Sequence, residues 1–472
     1  MKDSVFREYD IRGIVGEELN LDQVYKLGCA IAYYFAQHNP ELKTVVVGRD
    51  ARSHSPLIKK ELFRALTDAG LTVLNVGICS SPVIYFGLHT QKIDAGIMIT
   101  ASHNPSAYNG LKICLGTTSL SGEAIREIRT LYKQNKKLEK LERPGDVKNI
   151  NLVDLYVDWI TNHFVHLKNM DVPIVVDCGN GTSGPELLKI IDKLGWTGVD
   201  VLYADADGTF PNHEADPSVE KNMQDVKKTL IKGKHLFGIG LDGDGDRMGA
   251  MTKGGTLIPA DRLLALFAQP LFADAQKDYS NTGVVFDIRS SQGLVDLLTE
   301  WGTNSYWSPA GHSNIKKLMK EKNALLGGEM SCHFMFADKY FGYDDGIYAA
   351  LRLIEIIVAS GKSLDELIFI FPNKYSSPEI RIRCGQLDTR LVVKDVHESF
   401  ARSKKGKLTT IDGVRVECDY GWGLVRESNT QLVLSMRFES DSPQGLQLIK
   451  KDFFIILRRY FDDVLLKQEL QL

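Results

Sequence analysis

Three times in this chain a short apolar run breaks off into a polar loop of unusual composition. Residues 95–100 run into Ala101-Ser102-His103-Asn104-Pro105. Residues 236–241 run into Asp242-Gly243-Asp244-Gly245-Asp246-Arg247. Residues 324–326 run into Gly327-Gly328-Glu329-Met330-Ser331-Cys332-His333. Short apolar runs with no polar alternation suit strands covered on both faces, which is the environment of a parallel sheet. Between such runs lie helical spacings over 21–36, 55–69, 186–194 and 348–358. The second opens on Ser55-Pro56 and closes on Gly70, as helix ends favour. Strand and helix in alternation predict an α/β fold with mixed, largely parallel sheets.

The alternation divides into three similar α/β domains. Residues 133–148 are strongly charged and contain Arg143-Pro144-Gly145, which places the first boundary near 150. The turn Lys253-Gly254-Gly255 places the second near 252. The last hundred or so residues change character. Segments 380–384, 413–417 and 432–438 alternate polar and apolar, the period of half-buried antiparallel strands, and 446–466 reads as one long amphipathic helix. The expected domains are therefore 1–150, 151–251 and 252–370, followed by a smaller α+β domain over 371–472.

In open α/β sheets ligands gather beyond the carboxyl ends of strands, so the loops carry the chemistry. Asp242, Asp244 and Asp246 place three carboxylates on a few ångströms of chain. Like charges that close are costly unless a cation sits among them. Oxygen donors alone suit a hard cation such as Mg²⁺. An EF-hand is excluded, because its sixth and twelfth positions need Gly and Glu and here hold Arg247 and Lys253. Ser102, flanked by His103 and Asn104, is a candidate nucleophile or phosphate carrier. A Ser-His-Asp hydrolase is disfavoured by the absence of G-x-S-x-G. Lys112 could place a cation over a phosphate. Glu329, Ser331 and His333 could bond sugar hydroxyls. Arg426-Glu427-Ser428-Asn429-Thr430 offers a guanidinium, two hydroxyls and an amide, a composition suited to an anion cradle.

Composition narrows the partners. A formal net charge of −3 over 472 residues gives no basic face for nucleic acid. No apolar run is long enough to span a bilayer, and Met1-Lys2-Asp3-Ser4 leads into charged sequence without a secretory signal. The 7 cysteines are scattered without C-x-x-C, which fits a reducing cytoplasm.

Taken together and in order, these motifs resemble the α-D-phosphohexomutase superfamily, in particular its phosphomannomutase/phosphoglucomutase branch. Thr100-Ala101-Ser102-His103-Asn104-Pro105 matches its phosphoserine loop, 242–247 its metal loop, 328–333 its sugar loop and 426–430 its phosphate loop. The opening Phe6-Arg7-Glu8-Tyr9-Asp10-Ile11-Arg12-Gly13 is similar too. The resemblance implies four domains around one central cleft. It implies reversible phosphoryl transfer between the 1- and 6-positions of a hexose phosphate, through phosphorylated Ser102 and a hexose 1,6-bisphosphate. Mg²⁺ would be held by Asp242, Asp244, Asp246 and an oxygen on Ser102. Arg12, His103, Lys112, Arg247 and His333 would serve the transition state. Tyr9, Arg289, His312, Glu329, Ser331, Arg426, Ser428, Asn429 and Thr430 would hold the substrate. A cytoplasmic monomer or homodimer is implied. Cys332 stands where the family usually has Gly, and Arg289 where it often has Lys. A phosphoglucosamine mutase, a non-catalytic sugar-phosphate sensor on the same fold and a Mg²⁺ phosphatase using Ser102 are the alternatives.

Overall fold

The computed structural model describes residues 1–139, 143–274, 276–385, 387–427 and 433–472. The described chain forms two compact units. The first comprises Met1–Phe267 with Ser331–Ile368, and the second Ala268–Met330 with Phe369–Leu472.

In the first unit, β1 (Ile11–Ile14), β2 (Thr44–Arg49), β3 (Thr72–Ile78), β4 (Ala95–Ile99), β5 (Tyr108–Leu115), β6 (Thr118–Ser119) and β7 (Val147–Asn149) form one sheet. Its order is β1-β5-β4-β2-β3-β7, with β6 beside β5. The inner pairs β2–β3 and β2–β4 are parallel. β4–β5 and β1–β5 are antiparallel, and β5, which joins them, left little mark on the sequence pattern. Every residue of β4 is buried, which explains its unbroken apolar run. Helices Val24–His38 and Glu123–Lys133 turn Leu27, Ile31 and Phe35, and Ile125 and Ile128, into the core beneath the sheet. Each such side chain contributes roughly 1.5–3 kcal/mol when fully buried.

A second sheet in the same unit contains β8 (Asp171–Asp177), β9 (Thr197–Leu202), β10 (Phe237–Leu241) and β11 (Met248–Thr252), in the order β11-β10-β8-β9. β10 runs parallel to β8 and antiparallel to β11. The loop between β10 and β11 holds the three aspartates. In the second unit, β12 (Gly283–Asp287), β13 (Asn304–Ser308) and β14 (Leu326–Gly328) are parallel in the order β13-β12-β14. The chain returns to the first unit with β15 (Phe334–Phe336) and the helix Gly346–Ser360.

The last part of the second unit is an antiparallel sheet of β16 (Tyr375–Ser376), β17 (Ile380–Arg383), β18 (Lys407–Thr409), β19 (Val414–Cys418), β20 (Gly421–Glu427) and β21 (Val433–Ser440). Helices Thr389–Ser403 and Pro443–Leu457 share its core. The long helix expected over 446–466 is two helices, Pro443–Leu457 and Asp463–Leu470. The Asp462 side chain accepts from Val464 N and Leu465 N and so starts the second one afresh.

Two carboxyl groups are buried in the first unit with incomplete compensation. Glu186 accepts from Ser80 N at 2.8 Å, and its other oxygen has no hydrogen-bond partner. Burial pushes its carboxyl up to about 7. Asp345 accepts from Tyr156 at 2.9 Å, Tyr340 at 2.7 Å and Tyr348 N at 2.9 Å. Burial still pushes it up to about 6. Both groups hold a proton in the folded chain at a pH where the unfolded chain has released it. Their contribution to stability is therefore complete below the unfolded carboxyl range and is lost as pH rises through about 6 and 7. Glu186→Gln is expected to raise stability by about 1–3 kcal/mol at pH 8 and by little at pH 4. Urea melts of both proteins across that range measure the difference.

Candidate active site

Ser102 sits in the loop after β4 with φ +50°, left-handed backbone for which a non-glycine residue gives up about 1–2 kcal/mol. It is buried. Its Oγ donates to Asp242 Oδ2 at 2.8 Å and lies 3.1 Å from His103 Nδ1. Burial, and then the charges of Arg247 and Arg12, hold the His103 imidazole well below its usual range. The serine loop and the aspartate loop pack backbone on backbone. A Cβ at Gly243 would lie 2.6 Å from Ser102 O. Gly245 has φ +77° and sits over Ser80 and Ser183. The two glycines thus serve a close approach and a turn respectively.

Asp242, Asp244 and Asp246 are fully buried, and each can offer an oxygen within 4.8 Å of the others. Lys112, from β5, donates to Asp244 at 2.6 Å and to Asp246. Burial opposes the lysine charge, but Asp244, Asp246 and Asp242 outweigh it and hold the ammonium protonated far above the ordinary range. Burial likewise opposes the Asp244 charge, yet Lys112 and the hydrogen bond from Ser81 hold that carboxyl below its usual range. Asp242 is pushed well up, by burial and then by Asp246 and Asp244. One lysine therefore does not neutralise the trio. One oxygen each of Asp244 and Asp246 is buried without a hydrogen-bond partner. An all-oxygen donor set with unsatisfied negative charge fits a metal ion.

Arg247 closes the loop. Its N donates to Asp242 Oδ1 at 3.1 Å, and its Nε donates to His333 Nε2 at 3.0 Å. A guanidinium nitrogen only donates, so His333 Nε2 must accept there and Nδ1 carries the proton. Nδ1 lies 2.9 Å from Asp344 Oδ2 and 3.6 Å from Asp246 Oδ1. Sequence reasoning missed Asp344, which lies in a Tyr-Asp-Asp turn with no motif character. Arg12 bonds Asp10 at 2.8 Å and Asn104 at 2.6 Å, tying β1 to the serine loop. Tyr9 is half-buried in the bend before β1.

Cys332, next to His333, has φ +70°, and its carbonyl accepts from Met248 N at 3.0 Å. This left-handed backbone is the physical reason glycine suits the position. Cys332→Gly is expected to stay within about 1 kcal/mol of the parent protein, since relief of backbone strain offsets the lost burial. Cys332→Val, β-branched at positive φ, is expected to cost about 2 kcal/mol or more. Chemical denaturation of the pair checks the contrast.

The second unit gathers a different set. Arg289 Nη2 bonds Asp287 at 3.0 Å and Glu329 at 3.1 Å, and its Nη1 lies 3.8 Å from Glu379. Glu329 also accepts from Gly311 N at 3.1 Å, just ahead of His312, the first residue of the helix His312–Lys322. Arg289 thus orients Glu329 and is nine-tenths buried itself. Arg415 is fully buried, with Trp307 4.4 Å and Trp422 3.7 Å from its guanidinium carbon, and donates to the carbonyls of Ile288 and Ser290. Arg426 pairs with Asp412 at 2.9 Å rather than with the Arg289 group. Ser428, Asn429 and Thr430 lie outside the described residues. Ser331 belongs to the first unit, two residues before His333.

Comparison with known proteins agrees with this layout. Four family models, described as phosphoglucomutase/phosphomannomutase alpha/beta/alpha domains I, II and III and C-terminal domain, match residues 3–139, 154–255, 259–375 and 379–456. The fold and site define a phosphohexomutase, an intramolecular phosphotransferase. The chain belongs to the phosphoglucomutase/phosphomannomutase family. It is 39% identical over 465 residues to a phosphomannomutase/phosphoglucomutase of Pseudomonas syringae pv. tomato, covering 98% of this chain and 97% of the relative. It is 38% identical over 454 residues to a phosphoglucomutase of Neisseria gonorrhoeae, covering 96% of each. A crystal structure of a family protein from Burkholderia thailandensis superposes with a TM-score of 0.88 at 32% identity over 98% of both chains. Among the described residues no helix is long and apolar enough to cross a membrane.

Proposed function

We propose that this chain interconverts mannose 1-phosphate and mannose 6-phosphate, and glucose 1- and 6-phosphate as well, through phosphorylated Ser102 and a hexose 1,6-bisphosphate. The observation that carries this reading is the 2.8 Å bond from Ser102 Oγ to Asp242, which sets a buried hydroxyl against the carboxylate trio. In the first half-reaction the Oγ–P bond of phosphoserine breaks while the sugar's free hydroxyl oxygen bonds to phosphorus. The hydroxyl proton leaves to a base; His333 is the candidate, and its Nε2, which accepts from Arg247 Nε in this structure, would have to give up that bond to take the proton. In the second, Ser102 Oγ takes the phosphoryl group from the other end of the bisphosphate, and a proton returns to the sugar oxygen.

Asp242, Asp244 and Asp246 would hold Mg²⁺, which when bound offsets charge on the transferring group. Lys112 and Arg247 supply fixed positive charge on the protein side, and Arg12 holds the serine loop through Asn104. Glu329 and Ser331 would bond sugar hydroxyls. Arg426, with 428–430, would grip the phosphate that is not reacting. We assign domains at 1–150, 151–251, 252–370 and 371–472, and expect a cytoplasmic monomer or homodimer.

A coupled assay with trace glucose 1,6-bisphosphate tests the reading. Mannose 1-phosphate and glucose 1-phosphate should both turn over, with glucosamine 1-phosphate well behind. Glucosamine 1-phosphate as the best substrate would move the chain to the phosphoglucosamine branch. Tight binding without isomer exchange would make it a sensor, and release of free phosphate in excess of isomerised product would make it a phosphatase.

A further inference from the structure

The two largest side chains with no exposed surface in the described chain are arginines, and one of them, Arg52, is built into the back of the serine loop. All five N–H bonds of its guanidinium are used. Nε donates to Asp50 Oδ2 at 3.0 Å. Nη1 donates to the carbonyls of Pro105 at 2.7 Å and Tyr108 at 3.2 Å. Nη2 donates to the carbonyls of Ser102 at 2.8 Å and Asn104 at 2.6 Å. Four carbonyls spread over seven residues therefore converge on one planar ion. No lysine can reproduce that, because an ammonium has three donors in tetrahedral directions.

Arg52 is itself fixed from every side. Asp50 Oδ1 accepts from Arg52 N at 3.1 Å and from Ser55 Oγ at 2.6 Å. Asn109 in turn donates to Ser55 Oγ at 2.9 Å. The Phe210 ring lies 4.8 Å from the guanidinium carbon. Gly208 closes over the backbone so tightly that a Cβ there would come within 2.2 Å of Arg52 Cα. The loop it holds has Ser102 at φ +50°, a conformation that a short loop does not keep unless its surroundings impose it.

We infer that Arg52 is a positioning residue for phosphoryl transfer: by gripping the carbonyls of Ser102, Asn104, Pro105 and Tyr108 it holds the Ser102 hydroxyl against the aspartate loop. It does not touch the reacting atoms. The inference rests on the reading that Ser102 carries the phosphoryl group. Its signature is a loss in kcat with the KM for sugar phosphates preserved, since near-attack geometry is disturbed while the substrate's own contacts are not.

The test uses the full chain with Mg²⁺ and glucose 1,6-bisphosphate. Arg52→Lys is compared with the parent for kcat, KM, Tm and the rate at which Ser102 gains a phosphoryl group, followed by rapid quench and intact mass. The expected result is a fall of about 10²-fold in kcat and in the phosphorylation rate per folded molecule, with KM within about 3-fold. A purely structural role would lower Tm and the folded fraction but leave that rate unchanged, and this outcome overturns the inference. Asp50→Asn, which keeps the shape but removes the charge locking Nε, is measured alongside and is expected to lose about 10-fold in the same rate. Should Arg52→Lys fail to fold, an unchanged rate in Asp50→Asn overturns the inference. Ser102→Ala separates the two readings. If it retains activity, the phosphoserine reading fails, whatever Arg52 does. If it is inactive while the Arg52 and Asp50 variants keep the parent rate, only the positioning role fails.

Discussion

Ser102→Ala is expected to lower isomerase activity by about 10⁴-fold or more, and to abolish the one-phosphoryl mass increment that the parent protein gains on incubation with glucose 1,6-bisphosphate. The magnitude follows from what the substitution removes. Of the loop's hydroxyls, that of Ser102 is the one set against the aspartate trio: Thr100 Oγ1 accepts from Ser102 N at 2.9 Å and Ser106 is exposed, while His103 is held neutral and turned by its Nδ1 toward the Ser102 hydroxyl. Stability should change little, because the serine donates one bond, to Asp242, and the carboxylate it leaves behind still accepts from Arg247 N. The φ of +50° is no better for alanine than for serine, so strain cancels between the two proteins. Sugar-phosphate binding should survive, since the groups assigned to it lie on other loops. Activity near the parent level in Ser102→Ala would end the covalent mechanism outright.

What the sequence disclosed, and what it hid, divide along a physical line. β4 and β10 were legible because a strand buried on both faces has no freedom to be polar. The aspartate loop was legible because charges at alternate positions have one economical explanation. Lys112 was suspected only from its place near the serine, yet its main contacts are Asp244 and Asp246, more than a hundred residues away. Arg52 left no signal at all. Its partners are main-chain carbonyls, which every residue possesses, so nothing in the side-chain pattern of the serine loop announces the ion behind it. Asp344 was hidden for a related reason: its meaning depends on which nitrogen of His333 faces Arg247. The helix break at 458–462 escaped because Leu457, Phe461 and Leu465 keep the i, i+4 spacing across it, and only the Asp462 cap divides the pattern.

Asp242→Asn is expected to move stability and activity in opposite directions. Without added metal the parent carries three buried carboxylates against Lys112 and, 3.8 Å from Asp242, Arg247, and burial together with Asp246 and Asp244 still presses Asp242 toward its protonated form. An amide there keeps an oxygen that can accept from Ser102 or Arg247 N while removing the charge that the other two repel. In chelator, the variant should therefore be more stable than the parent by about 1–3 kcal/mol. Saturating Mg²⁺ should reverse the order. A ligand at a hundred times its Kd stabilises the form that binds it by about 2.7 kcal/mol, a gain open to the parent and largely closed to a site with one donor charge gone. Activity should fall by about 10³-fold or more, the scale set by losing several kcal/mol of charge stabilisation in the transition state. Thermal melts of both proteins with chelator and with Mg²⁺, run beside the isomerase assay, give all four corners of the comparison. A variant that gains as much stability from Mg²⁺ as the parent would show that the metal does not depend on this carboxylate. A variant less stable than the parent in chelator would show that Lys112 and Arg247 together balance the trio.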